Sequence, residues 1–376
     1  MPNKSHPESI VFHFSVIQDP RLDRTKDHLL IDILTVALCA MLCGAEGFLD
    51  FEHFGNAQIE FLRTFLALEN GIPSHDTFRR VFGMLDPVQF SECFRKWTES
   101  LRKSFDAEII AIDGKTLRRS HDRAKGKAPI HMVSAWAREN ALVLGQIKTE
   151  EKSNEITAIP ELLRTLKLAG CIVTIDAMGC QTKIATEITE AKADYVLALK
   201  GNQSTLHEEV ASFMEDAQSY DFEDITHDFL ETTERGHGRT ETRRYWITEE
   251  IEWLTHHGQW ENLRSIGMVE SIRELKGKRT CERRFYIASI GANAQTFARA
   301  VRGHWAIENT LHWSLDVNFN EDQCRVRTGY AAENLAVLRH MCLNILKGES
   351  TKKRGIKGKQ KNAAWDHSYL LTLLRI

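Results

Sequence analysis

The segment Ala107–Ser120, AEIIAIDGKTLRRS, constrains this chain most, because it sets an acid directly after a run suited to a buried strand. Ile109, Ile110, Ala111 and Ile112 are apolar and mostly β-branched, the pattern of a strand covered on both faces. Asp113 follows, Gly114 lets the backbone turn, and Lys115, Arg118 and Arg119 add cations. A carboxylate beside cations at a strand end suits a metal that holds a phosphate-bearing substrate; a plain Asp-Gly turn is the bland alternative. The segment CIVTIDAMGCQ repeats the arrangement, with Ile172, Val173, Thr174 and Ile175 leading into Asp176. Two strands that end alike belong at one edge of one sheet. A third acid, Glu308, stands in RGHWAIENTLHWSLD, where Trp305, Ile307, Leu311 and Leu315 recur at helical spacing and His304 and His312 share its face. Two aspartates on strand ends and a glutamate on a later helix can converge on a pair of divalent ions.

The 376 residues suffice for two domains, or one large domain with an insertion, and the 42% hydrophobic content supports ordinary buried cores. A formal net charge of -3 excludes a uniformly basic nucleic-acid binder, so any DNA contact falls to local patches. The eight cysteines form no Cys-x-x-Cys pair, and Cys39 and Cys43, inside the run ILTVALCAMLCG, read as core thiols. The longest apolar stretch, Ile31 to Cys43, is too short to span a membrane and contains Asp32. No signal peptide is read at the N-terminus, which points to the cytoplasm.

Residues 1 to about 25 are polar, carry the Asp19-Pro20 turn signal and are expected to be poorly ordered. Lys26–Leu42 and Phe48–Leu68 show helical core patterns, and Ser74 suits the N-cap of a helix bearing Arg79 and Arg80. Residues 1–104 therefore read as a small all-α unit whose two arginines either meet DNA, as in a helix-turn-helix, or are solvated. From residue 105 the period turns strand-like: 109–112, 130–136 and 142–147 read as an antiparallel meander, followed by helix 153–168, strand 172–175, helix 182–191 and strand 195–199. The interval from Asp176 to Glu308 is about twice that between the two aspartates, which marks a β-rich insertion over about 201–292 within a catalytic unit spanning 105–346. Its strands carry Arg235, Arg239, Arg243, Arg244, Arg283 and Arg284, either as a nucleic-acid surface or as a solvated sheet face. Residues 347–376 read as a basic, mobile tail with a closing helix from Trp365 to Leu374.

Six segments, GIPSHDTFRRVF, IAIDGKTLRRS, TIDAMGCQTKIA, ADYVLALKGNQ, HWAIENTLHW and DQCRVRTGYAAENLAVLRH, follow one another over nearly the whole chain. Together they resemble insertion-sequence transposases of the DDE type, in the H-repeat-associated group linked to Rhs elements. The resemblance implies an α/β fold with an RNase H-like catalytic core, in which Asp113, Asp176 and Glu308 fall at the three acidic positions and hold two Mg2+ or Mn2+ ions. It implies double-stranded DNA, at element ends and target, as the partner, a homodimer assembled on that DNA, no membrane, and a place at the bacterial nucleoid. Lys115, Arg118, Arg119, Arg302, His304, Arg79 and Arg80 are the candidate DNA contacts. Related transposases carry an Arg four residues before the Glu and a Lys seven after; His304 and Leu315 stand there in this chain, which leaves Arg302 and His304 as the nearest substitutes. Three further readings stay open: a nuclease that stops after hydrolysis, a catalytically silent DNA-binding protein, and a zinc hydrolase built on His304, Glu308 and His312. The zinc reading leaves both aspartates unexplained.

Overall fold

The computed structural model describes residues 10–121, 128–149, 155–236 and 238–374. The chain opens with helices α1 (Ile10–Phe14), α2 (Leu30–Leu42), α3 (Phe48–Ala57), α4 (Ile59–Leu62), α5 (His75–Met84) and α6 (Pro87–Leu101). α2 is apolar nearly all round and is buried from Asp32 to Leu42, as such a helix must be. Asp32 tolerates that burial because its Oδ2 accepts the Leu68 N–H at 3.1 Å. The Ser74 side chain caps α5 through the Thr77 N–H, and Asp86 caps α6 ahead of a proline in the first turn. Phe48–Leu68 is not one helix: the chain breaks at Gln58, just after Gly55 and Asn56, two weak helix formers. The expectation for residues 1–9 lies outside the described residues; Ile10–Phe14 is helical and packs on α6, with turns and irregular chain between it and Asp23.

A nine-stranded mixed sheet follows: β1 (Ile109–Leu117), β2 (Ile130–Ala137), β3 (Leu142–Lys148), β4 (Ile172–Ile175), β5 (Asp194–Leu199), β6 (His227–Gly236), β7 (Arg239–Thr248), β8 (Ser265–Leu275) and β9 (Lys278–Ala288). Their order across the sheet is β3-β2-β1-β4-β5-β9-β8-β7-β6. β1, β2 and β3 are antiparallel neighbours, β4 and β5 run parallel to β1, and β9 joins β5 antiparallel to begin a meander out to β6. Helices α7 (Glu155–Thr165) and α8 (Thr182–Glu190) make the crossovers into β4 and β5, and α9 (Ser204–Ser219) leads into the meander. The start of the expected helix 153–168 lies outside the described residues. β8 and β9 join through Lys276 and Gly277, both at positive φ, as a two-residue hairpin turn that matches strand twist requires.

β1 corrects one expectation. It does not stop at Ile112; pairing with β2 continues through Asp113↔Ser134 to Leu117↔Ile130, so Gly114 is mid-strand and not a turn. Only the parallel pairing with β4 ends at Ile112↔Ile175. The partner strand outweighs the local Asp-Gly signal.

After β9 come α10 (Ala294–Ala306), a π-helical turn at Ile307–His312, α11 (Trp313–Phe319), α12 (Ala331–Gly348), α13 (Ile356–Trp365) and α14 (His367–Leu374). α12 is buried along nearly its whole length and packs on α2, α5, α6 and β3, so the first helices and one sheet face share a core. The expected mobile stretch after Lys347 is instead folded: the Lys359 ammonium is buried and donates to the Leu346 carbonyl at 2.8 Å and to that of Glu349, and Lys347 lies over the Trp136 ring.

α10 crosses β1 at Gly303, where a Cβ would stand 2.6 Å from Ile109 Cγ2. Gly303→Ala is therefore expected to cost about 1–3 kcal/mol in denaturant unfolding, as overpacking does, while Gly258→Ala, which faces open space, leaves stability within about 0.5 kcal/mol.

Candidate active site

The β1–β4 register places the two aspartates side by side, each the next residue after the last parallel pair. Asp176 leaves its strand as the cap of a short 3-10 turn, Oδ1 accepting the N–H groups of Met178 at 3.0 Å and Gly179 at 3.3 Å. Asn202 and Gln203, just past β5, fasten that loop by donating to the carbonyls of Ala177 at 2.7 Å and Cys180 at 3.0 Å. Glu308 stands in the π-helical turn, a widened turn of the kind common at functional positions. Asp113, Asp176 and Glu308 line one cavity of about 330 Å³.

The acids strain one another. Burial, and then the charges of Glu155, Asp176 and Glu308, push the Asp113 carboxyl up to about 7 against the opposing pull of the Gly114 N–H. Burial holds both neighbouring imidazoles neutral, His304 below its ordinary value and His312 down to about 4. His304 Nδ1 lies 3.4 Å from Thr174 Oγ1 and His312 Nδ1 3.6 Å from Asp113 Oδ2. The two histidines thus face different partners. Among the described residues no three His, Cys, Asp or Glu side chains form a ready-made metal cage. The carboxylate oxygens of the cavity suit a hard divalent cation.

The cations are placed otherwise than expected. Lys115 is not on the cavity; its ammonium is spent on Asp316 at 2.6 Å, Asp322 at 3.0 Å and Glu321 at 3.3 Å. Arg118 is exposed and bonds Asp322 at 3.2 Å, and Arg119 is half-buried in the turn after β1. Arg302 pairs with Glu234 at 2.8 Å and lines a neighbouring cavity, whereas His304 does line the acidic one. Leu315 is core. Arg79 and Arg80 are exposed on α5, Arg79 held by Asp76 at 2.7 Å.

The cavity cations are Lys200, Arg283 and Arg284. Sequence reasoning had Arg283 and Arg284 only as general members of a basic surface and missed Lys200. Its signal was present, since Lys200 ends the apolar strand β5 as Asp176 ends β4. Lys200 is exposed and makes no ion pair with another described residue. Arg284 lies 4.4 Å over the Trp305 ring and is paired with Glu282. The neighbouring cavity, about 720 Å³, shares Arg284, Trp305 and Tyr286 with the first and adds Arg138, Arg239 and Arg273.

The three acids and these three cations line one cleft at the end of a parallel strand pair, an arrangement suited to phosphoryl transfer. Residues 104–345 match the family "Transposase DDE domain", and residues 11–98 match "DDE_Tnp_1-associated". The chain is similar to the "H repeat-associated putative transposase YhhI" of Escherichia coli (strain K12), 41% identical over 98% of each chain. It is also similar to "Putative transposase YncI" of Escherichia coli O157:H7, 43% identical over 98% of this chain and 94% of that one. A cryo-EM structure of a piggyBac transposase synaptic complex with hairpin DNA aligns at TM-score 0.43 and 13% identity, covering 98% of this chain and 78% of that one, a likeness too distant to carry an argument. The chain belongs to the DDE transposase family and is an insertion-sequence transposase, a class that depends on divalent metal. No helix among the described residues is long and apolar enough to cross a membrane.

The raised Asp113 carboxyl has a signed consequence. Its folded value lies above the ordinary 3.8, so the native state binds the proton more tightly and loses stability as pH climbs from about 4 through about 7. In metal-free buffer Asp113→Asn removes that loss: the variant is expected to melt on the order of 5 °C above wild type at pH 8, with the gain shrinking toward pH 5 in differential scanning calorimetry.

Proposed function

We propose that this transposase cuts a phosphodiester at the ends of its element and joins the exposed 3′-hydroxyl to target DNA at one centre, with Asp113, Asp176 and Glu308 holding two Mg2+ or Mn2+ ions. The observation that carries this reading is the single cavity shared by those acids with Lys200, Arg283 and Arg284. When bound, the ions supply Lewis-acid charge to the attacking and leaving oxygens.

The rest falls to the chain. The N–H groups of Met178 and Gly179 fix the Asp176 carboxylate, and the π-turn aims Glu308 into the same space. Lys200, with no acid to satisfy, takes the substrate phosphate in place of the family's Arg and Lys. His304, kept neutral by burial, contributes no charge there. Trp305 offers an exposed ring to a base, and the neighbouring arginine-lined cavity gives the strand a path away from the centre. An RNase H-like core is supported by the order β3-β2-β1-β4-β5 with its parallel pair, and α9 with β6–β9 fits the inserted unit. Assembly as a homodimer on double-stranded DNA at the nucleoid, with Arg79, Arg80 and Arg119 as outlying phosphate contacts, completes the reading.

Gel assays on donor DNA bearing the element ends test it. With Mg2+ the wild type is expected to expose 3′-hydroxyls and, given target DNA, to yield joined product; nicks without joining would make the chain a nuclease. Asp176→Asn keeps size and hydrogen bonding but should abolish cleavage while fold and DNA binding persist, and cutting at the wild-type rate would remove Asp176 from the centre. Lys200→Ala is expected to lower the salt slope of DNA binding by about 1, whereas Arg118→Ala, already neutralised by Asp322, changes it little.

A further inference from the structure

One carboxylate beside the three acids has no role so far. Glu155 opens α7, its side chain is only 13% exposed, and among the described residues its ion-pair partner is His131, Nε2 to Oε1 at 2.6 Å, with no Lys or Arg. It is not among the residues lining the cavity of the three acids and approaches β1 at Gly114, the residue next to Asp113. The backbone after Asp113 passes directly beneath it: a Cβ on residue 114 would collide with both Glu155 Oε1 and His131 Nε2. That explains a glycine in the middle of a strand where no turn exists. His131 is fixed from its other side, Nδ1 lying 2.9 Å from Thr116 Oγ1. A carboxylate only accepts, so in the neutral ring Nε2 carries the proton toward Glu155 and Nδ1 accepts from the Thr116 hydroxyl.

Burying a carboxylate against another is costly unless positive charge offsets it. Lys115, the nearest lysine along β1, is engaged by Asp316, Glu321 and Asp322. The His131–Glu155 pair thus has the form of a ligand and its orienting partner. We propose that Glu155 is a fourth carboxylate of the metal centre, aimed by His131 as a positioning residue, and that Gly114 is required to let it approach Asp113. This rests on the reading of Asp113, Asp176 and Glu308 as the metal-holding acids.

Titration of the full-length protein with Mn2+, with the free ion followed by electron paramagnetic resonance and the bound state by thermal melting, tests the proposal without DNA or turnover. Glu155→Gln keeps the size of the side chain and its acceptance from His131; Mn2+ affinity is expected to fall about tenfold or more, with a smaller rise in melting temperature on adding the ion. His131→Gln should weaken binding by a few-fold, and Glu161→Gln, exposed on the same helix, should leave it unchanged. If Glu155→Gln binds Mn2+ like wild type while Asp176→Asn does not, Glu155 is structural and the proposal is overturned with the three-acid centre intact. If Asp176→Asn also binds like wild type, the three-acid reading falls and the proposal with it. Should Glu155→Gln fail to fold, Glu155→Asp keeps the charge but withdraws it; undiminished Mn2+ affinity in that variant overturns the proposal equally.

Discussion

The centre of this molecule depends on the register between two parallel strands. Pairing from Ile109↔Ile172 to Ile112↔Ile175 brings Asp113 and Asp176 level. A slip of one residue would send one of them to the opposite sheet face. Burial on both sides enforces the register: Ile110, Ile112, Val173 and Ile175 pack into one apolar cluster, Ile109 and Ile172 into another. The hydrophobic gain along four rungs thereby holds two like charges together that would otherwise part.

The third acid arrives by a different device. α10 can lie close on β1 only because residue 303 lacks a side chain, and the π-turn that follows redirects the helix just where Glu308 occurs. Lys115 then ties the far end of β1 to Asp316 on α11 and to Glu321 and Asp322 beyond it. With Glu321 also bonded to the buried Arg339 of α12, strand and helix segments that carry the acids are braced by a shared charge cluster. Its value lies in fixing position more than in net stability, since buried ion pairs seldom repay their desolvation.

Much of this was legible beforehand, and the failures share a cause. That Asp113, Asp176 and Glu308 meet at one cavity, the order of the central strands and the capped helix at Ser74 all show within windows of a dozen residues, through periodicity and neighbouring apolar runs. The expectation that Lys115 would face the substrate failed because its partners lie some two hundred positions further on. The continuation of β1 through Gly114 depends on pairing with β2, which overrides a strong local turn signal. The C-terminal lysines read as a solvated tail because nothing in their spacing reveals that the carbonyls of Leu346 and Glu349 accept from Lys359. Periodicity reports which residues are buried, and it is silent on which distant charges they meet.

The placement of α12 bears on how such a chain is made. Its buried surface supplies the last wall of a core begun by α2, α5 and α6 and shared with β3. Until the ribosome has passed Leu346, the early helices pack on one another and on β3 but lack the helix that closes their shared core. Folding of the two halves is therefore completed late and together. A coding sequence interrupted shortly before Ala331 would yield a chain holding all three acids but no closed interior, fit for proteolysis and not for catalysis. Decay of an element by truncation at its 3′ end would silence it abruptly, even with the codons of all three acids intact.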